Sequence, residues 1–470
     1  MPKAFNSISQ RWEHVRSYQD QGGAWVEVMR GDQDNAAQLT SAFDHVAGTY
    51  IGKGTVLQRD VSSMPVHPDS VKMSKFMWDW SPFAPVGAWG GRTSLNTSSF
   101  GTQPIHMHVV DSTHPDCNFQ NLDAVIAGNA YPVEEKMYMK GKFPFPSWAT
   151  GARNGDYGCS IYDLGTGIMR EIFMFGRKTD AQGQEIPGQW GGGGGYSLNT
   201  PGLKNLAQDN YALQQRRGLS NVAGMHNSLG FIGIAEALNR KIEHALCFTF
   251  GAAWTLPRTY PELLAERKAI LDAGGSMPAG WPSVHQYGSH VSWPARGADG
   301  KAEHYIPEST HVLRSGQSKT FTAAEPHITP THGQWGRLPD SVDPWFNPRT
   351  GSPYYPMTRL IIEAAKKYGV VGTDTNLFCN AFNAEQGRTW EHMYGEDPWK
   401  AGGIIDRHLR DPGDATNGGG IRVDDFPWDL VEWAPIDWGR PSPDWNIRPG
   451  ERNPWWSSSD PRRPAGTSAY

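Results

Sequence analysis

Between Asn221 and Phe250 the chain reads NVAGMHNSLGFIGIAEALNRKIEHALCFTF, and no other segment limits the possible folds so strongly. Gly224 and Gly230 punctuate a turn, Ile232, Ile234, Ala235 and Leu238 make an apolar stretch, and Arg240-Lys241 separate it from a second apolar run. In that run Ile242, Leu246, Phe248 and Phe250 alternate with other residues, which is the period of a strand with one buried face. The segment is therefore expected to be a turn and strand at the centre of a fold, with Cys247 a small buried hydrophobe. Glu243 and His244 would point to opposite faces of such a strand. His244 is expected to be the one that packs inside, its imidazole satisfied by backbone.

Burial elsewhere has to come from aromatics. Mean hydropathy is -0.56, yet the chain holds 20 Trp, 18 Phe and 16 Tyr, residues that favour pleated surfaces. Gly (54) and Pro (35) are plentiful, favouring turns over long helices. These features predict a mainly β chain with a few short helices. A net charge of -5 gives no reason to expect nucleic acid as a partner. Cys117, Cys159, Cys247 and Cys379 lack CxxC spacing, which disfavours a zinc site built on cysteines, and a disulfide among Cys117, Cys159 and Cys379 stays open. The first residues, MPKAFNSISQRWEHV, hold no apolar core of a signal peptide, and no apolar run is long enough to span a membrane.

Taken in order, Ser7 and the Ile8, Trp12, Val15, Tyr18 face predict one early helix. Gly52 to Gly101 is irregular and aromatic and is expected to wrap over other elements. His106–Asp111 reads as a strand. Gly158–Asp163 and Met169–Phe175 read as a hairpin around Leu164-Gly165-Thr166-Gly167. Gly191–Gly195 is expected to be a long glycine loop after Trp190. Thr259–Leu271 reads as a short capped helix, and His304–Arg314 as loop or edge strand. Met357–Tyr368 is the best helical pattern, with Leu360, Ile361, Ala364, Ala365 and Tyr368 on one face and Gly369 as its stop, before a strand from Val370. Beyond residue 385 come ten prolines and eight tryptophans, a composition that suggests a strap ordering on a partner. The expected division is a wrapping segment over 1–100, a β domain over 101–385, and a Trp/Pro-rich strap over 386–470 with a disordered end.

Several markers recur in a familiar order. They are Val109-Val110-Asp111-Ser112 with Pro115 and Cys117; Asn154-Gly155-Asp156 before Ile161-Tyr162-Asp163 and Arg170-Glu171-Ile172-Phe173; Ser228-Leu229-Gly230 through Glu236 with Ile242–Leu246; Ala298-Asp299-Gly300; and Ala364–Val371 with Asp374. In this order the chain from Val109 to Phe382 resembles minor tail proteins of actinobacteriophages and related exported actinobacterial proteins. The resemblance implies a jelly-roll β-sandwich flanked by long irregular extensions. With no signal peptide expected, it implies a virion protein of the tail tip, made in the host cytoplasm. Its expected partners are other tail-tip proteins, further copies of itself (a trimer by analogy) and the host cell-wall glycan. It brings no catalytic residues and no cofactor.

Four constellations could carry chemistry. His106 and His108 share one face of a strand, and Asp111, with His114 and Asp116 near, could complete a metal site; separate hydrogen-bond partners for the two imidazoles are the simpler reading. Glu134, Glu135, Asp163, Glu171, Asp209 and Glu236 could supply the carboxylate pair of a glycoside hydrolase, but turn-capping or solvated acids explain them as well. His244, His285, Tyr287, His290, His304 and Tyr305 could serve a polysaccharide lyase. Trp190, Trp254, Trp281, Tyr287 and Trp293 could expose flat rings to a saccharide, or simply fill a core. The expectation is a structural and adhesive protein, with a polysaccharide-degrading enzyme on the same scaffold as the alternative.

Overall fold

The computed structural model describes residues 17–20, 23–26, 41–43, 46–47, 55–80, 93–97, 105–124, 140–153, 157–166, 168–199, 223, 225, 227–250, 269, 272–274, 292–295, 310–312, 318–320, 330–375, 380–409, 421–435 and 438–439. In chain order the antiparallel pair β1 (Ser17–Asp20) and β2 (Gly23–Val26) is followed by helix α1 (Ser70–Trp80) and strand β3 (Ser94–Asn96). Then come β4 (Ile105–Val110), β5 (Phe119–Ala124), β6 (Lys140–Pro144), β7 (Gly158–Asp163), β8 (Ile168–Thr179) and β9 (Glu185–Asn199). Next are α2 (Ile234–Asn239), β10 (Leu246–Phe250), the pair β11 (Thr310–Val312) and β12 (Ser318–Thr320), and β13 (Trp335–Arg337). The chain continues through α3 (Pro356–Lys367), β14 (Val370–Thr375), β15 (Ala381–Asn383), α4 (Arg388–Tyr394), α5 (Ile404–Leu409) and β16 (Glu432–Trp433).

The chain is mainly β, with few and short helices. Two six-stranded sheets carry it, in the orders β4-β7-β8-β9-β5-β6 and β16-β13-β14-β10-β15-β3. Both are mixed: β4 runs parallel to β7 and β5 to β9 in one, β10 to β14 and β15 to β3 in the other. Period-two alternation sorts the side chains. Leu246, Phe248 and Val370 enter one core with residues of α1 to α5, including Met77, Leu238, Ile361, Trp390 and Ile405. Their neighbours Cys247 and Val371 enter a second core shared with Met107, Val109, Tyr162 and Met169 of the other sheet. A third core, with Val110, Ile161, Ile172 and Trp190, fills the remaining face.

The strand expected from Ile242 starts only at Leu246. The Ala245 N–H donates to the Leu57 carbonyl at 2.6 Å, and the ladder with β14 begins one residue later. The glycines expected in a loop lie in β9 instead, between β8 and β5. Pairing with β8 along the run, and with β5 at Gly191 and Gly192, outweighs the poor strand propensity of glycine there. The expected hairpin is β7 with β8, and the expected late helix is α3, closed by Gly369 at φ +85°. Tyr18, assigned to an early helix, is in β1; the start of that pattern lies outside the described residues, as does most of Thr259–Leu271. The irregular segment before residue 101 contains α1.

Segments expected to be separate share these sheets and cores. β3, from the expected wrapping segment, pairs with β15, and β16, from the expected strap, pairs with β13. The strap's Trp390, Trp399, Trp428 and Trp433 are buried in the chain's own helix-covered core. Apolar area is removed from water wherever a ring fits, and these rings fit at home: Trp428 stacks on Phe382 at 5.3 Å and meets Phe248 at 4.8 Å.

Candidate functional site

The residues that looked most chemical are inside the protein. His106 and His108 do share one face of β4, their rings perpendicular with centroids 4.3 Å apart. Each has separate partners. Nδ1 of His106 lies 3.0 Å from the Gln386 carbonyl and Nε2 lies 3.2 Å from the Thr389 hydroxyl, which fits a neutral ring donating through Nδ1 and accepting at Nε2. Nε2 of His108 lies 3.1 Å from the Thr150 carbonyl and 3.2 Å from its N–H. Trp148 stands edge-on to His108, and the exposed His392 stacks on Trp148 at 3.9 Å, closing the pair off from water. Burial, followed by the neighbouring His108, holds His106 well below the usual imidazole range, and burial brings His108 down to about 4. Asp111 turns away to accept from the Thr113 N–H and hydroxyl at 2.9 and 2.6 Å. Among the described residues no three His, Cys, Asp or Glu side chains are grouped to hold a metal ion.

The buried acids hold backbone together. Glu171 accepts from Ser228 and Ser160 hydroxyls at 3.0 and 3.3 Å, on the face shared by the two sheets. Asp163 closes the β7–β8 turn by accepting from Ser112, Gly165 and Thr166. His244 is buried, as expected, and donates to the Ala245 carbonyl at 2.8 Å; it also meets Glu236 at 3.1 Å, a partner that period alone did not suggest. Burial pulls the His244 pKa down, but the Glu236 carboxylate outweighs it and the net shift is upward. Glu243 faces outward and pairs with Lys241. Glu385 accepts one N–H on each oxygen, from Ala47 and from Ile234, both at 2.9 Å, and burial pushes it up to about 8.

Of the rings expected to meet a saccharide, Trp190 is fully buried and Trp293 is 4% exposed. The Trp190 indole N–H donates to the Ala149 carbonyl at 3.3 Å, and its ring meets Phe145 edge-on at 5.0 Å. Neither is a platform. Trp254, Trp281 and Tyr287 lie outside the described residues, as do Glu134, Glu135, Asp209, His285, His290, His304 and Tyr305.

The accessible aromatic surface stands at the amino end of α3, in a segment, Asp343–Tyr355, that period reading passes over. Trp345 is 62% and Phe346 52% exposed. Their turn is fixed: the Trp345 N–H donates to Asp343 Oδ1 at 2.8 Å, Phe346 N–H to the Asp343 carbonyl, and Asn347 N–H to the Ser352 carbonyl. Val342, Asn347 and Tyr354 are buried and anchor it. Three arginines stack on three rings nearby: Arg359 over Trp345 at 4.2 Å, Arg422 over Tyr355 at 4.2 Å, and Arg349 over Trp78 at 4.0 Å. Such pairs hold both partners in place at about 0.5–1 kcal/mol each when exposed.

Carboxylates complete this surface. Arg422 is bidentate on Asp424 at 3.0 and 2.9 Å, and Arg349 pairs with Asp429. Asp425 accepts from the Tyr355 N–H at 2.8 Å and the Thr358 hydroxyl at 2.5 Å, supplying the cap that Tyr355 cannot. Burial raises Asp425 to about 6. One signal was available in the sequence: two adjacent aromatics inside Asp-Pro-Trp-Phe-Asn-Pro, since a tight turn cannot bury both. The arrangement offers flat rings and paired polar groups for binding. Neither a known protein family, nor a curated protein, nor a solved structure matches this chain.

Proposed function

We propose that this chain is a structural minor tail protein of a bacteriophage, built into the tail tip, where it contributes to tail assembly and to attachment at the host surface. The observation that carries the reading is the rigid, exposed Trp345–Phe346 turn with its arginine stacks, a surface made for contact. Exposed aromatics beside arginine are the side chains that most often dominate binding energy. The order of motifs that resembles actinobacteriophage tail proteins supplies the setting. In this reading the protein is made in the host cytoplasm, resides in the virion, works without catalysis or cofactor, and meets tail neighbours, its own copies as a trimer, and cell-wall glycan.

The jelly-roll sandwich belongs to the same proposal. Its support is the core to which one face of each six-stranded sheet contributes. A jelly roll is built from antiparallel strands, whereas β4–β7 and β10–β14 run parallel here. The functional reading is tested on phage particles that carry this chain. Antibody raised against the purified protein should label the tail tip by immunogold electron microscopy, and particles free of the chain by mass spectrometry would overturn the assignment.

A further inference from the structure

We infer that the surface at the amino end of α3 is a binding site for a neutral saccharide, with Trp345 as its stacking platform. The inference rests on the adhesive part of the proposed function and narrows its ligand. Arg359 lies over one face of the Trp345 ring at 4.2 Å, and the residue is still 62% exposed. Sugar rings present C–H faces that pack on flat aromatic rings, and hydroxyl edges that both donate and accept. The site answers both needs. Phe346, next in the chain, is a second exposed ring at 52%, and guanidinium and carboxylate groups stand beside the turn.

Charge selects the class. The guanidiniums of Arg349 and Arg422 are paired with Asp429 and Asp424, and Arg359 donates to the Tyr354 carbonyl at 3.1 Å. Asp425 is held by Tyr355 N–H and Thr358, and Asp343 by Trp345 N–H. A phosphorylated or carboxylated polymer would meet the carboxylates of Asp429 and Asp424 already seated on Arg349 and Arg422, and these repel a further anion. A neutral sugar can share their remaining hydrogen-bonding capacity without breaking any of them. The rigid turn also keeps the entropy lost on binding small, because the platform is ordered before the ligand arrives.

The test is affinity electrophoresis of the full chain through gels holding arabinan, galactan, mannan or dextran, with heparin and polygalacturonate as charged polymers. At least one neutral polymer should retard the protein. Trp345→Ala should weaken that retardation about tenfold or more, and Phe346→Ala less. Phe119→Ala, which removes a 48% exposed ring on β5, should leave it unchanged. The inference is overturned if no neutral polymer retards the chain, if only the charged polymers do, or if Trp345→Ala migrates like the parent. A self-association in analytical ultracentrifugation that Trp345→Ala abolishes would also overturn it, making the face a contact between copies. Each of these results leaves the immunogold test of tail location standing on its own.

Discussion

Trp190 and Trp345 carry the same local contact and live in opposite environments. An arginine lies over each ring, Arg177 at 4.3 Å from Trp190 and Arg359 at 4.2 Å from Trp345. Trp190 is fully buried, whereas Trp345 is mostly open to water. The difference lies in the backbone beneath. Trp190 sits in β9, bonded to β8 and β5 on either side, so Phe145, Phe175 and Ile172 close over one face of the strand. Trp345 sits in a turn whose anchors, Val342, Asn347 and Tyr354, already fill the space below. A cation–π contact therefore says nothing by itself about exposure. In the first case the arginine seals a core, and in the second it braces a platform.

Experiments can break or sharpen this contrast. The largest effect belongs to the tryptophans that share Trp190's fate at the other end of the chain. Ending the chain at residue 385 removes Trp390, Trp399, Trp428 and Trp433 from the core. At about 3–5 kcal/mol per buried aromatic, their combined loss of about 12–20 kcal/mol matches or exceeds the roughly 5–15 kcal/mol that holds a domain together. The shortened chain should show no cooperative unfolding by circular dichroism; a cooperative transition would restore the idea of a detachable strap.

Trp190→Ala should cost about 3–5 kcal/mol in urea unfolding. A cost below about 1 kcal/mol would mean that the ring is not part of the core and would erase the contrast with Trp345.

The buried histidines predict an acid-sensitive fold. The folded pKa of His108, about 4, lies below the value of 6.5 for a free imidazole, so the unfolded chain takes up the proton first. Its contribution is fully present above pH 6.5 and is lost as pH falls towards 4, on the order of 3 kcal/mol from this residue. His106 and His332 shift the same way. Melting temperature should fall over that window, and His108→Gln should make the fall shallower; an unchanged slope would show that His108 is solvated.

Gly230→Ala should cost about 1–3 kcal/mol by overpacking, because a Cβ there would run into the Cys247 sulfur on the buried face of β10. The smallest effect is expected at the open ring. Trp345→Ala, which loses the Arg359 stack, should change unfolding stability by no more than about 1 kcal/mol, and a loss of several times that would place Trp345 in the core alongside Trp190.

Part of this was legible from neighbouring residues. β4, the β7–β8 hairpin and α3 follow from period and turn chemistry, and Cys247 is buried as its place within an apolar strand predicts. The two histidines of β4 share a face for the same reason. The glycine run misled because its propensity is set by single residues, while its conformation is set by strands on both sides. The tryptophans beyond residue 385 misled because proline and tryptophan content does not reveal which surface the rings meet.

The sequence by itself determined β4, the β7–β8 hairpin and α3, since those patterns repeat within a few residues and need no distant partner. Tertiary structure alone decided which rings face water and which carboxylates are sealed. Asp425 supplies the hydrogen bond to Tyr355 from 70 residues away, and Glu385 reaches Ala47 across 338. Those pairings depend on how the sheets and helices close on one another, and burial is a property of that closure.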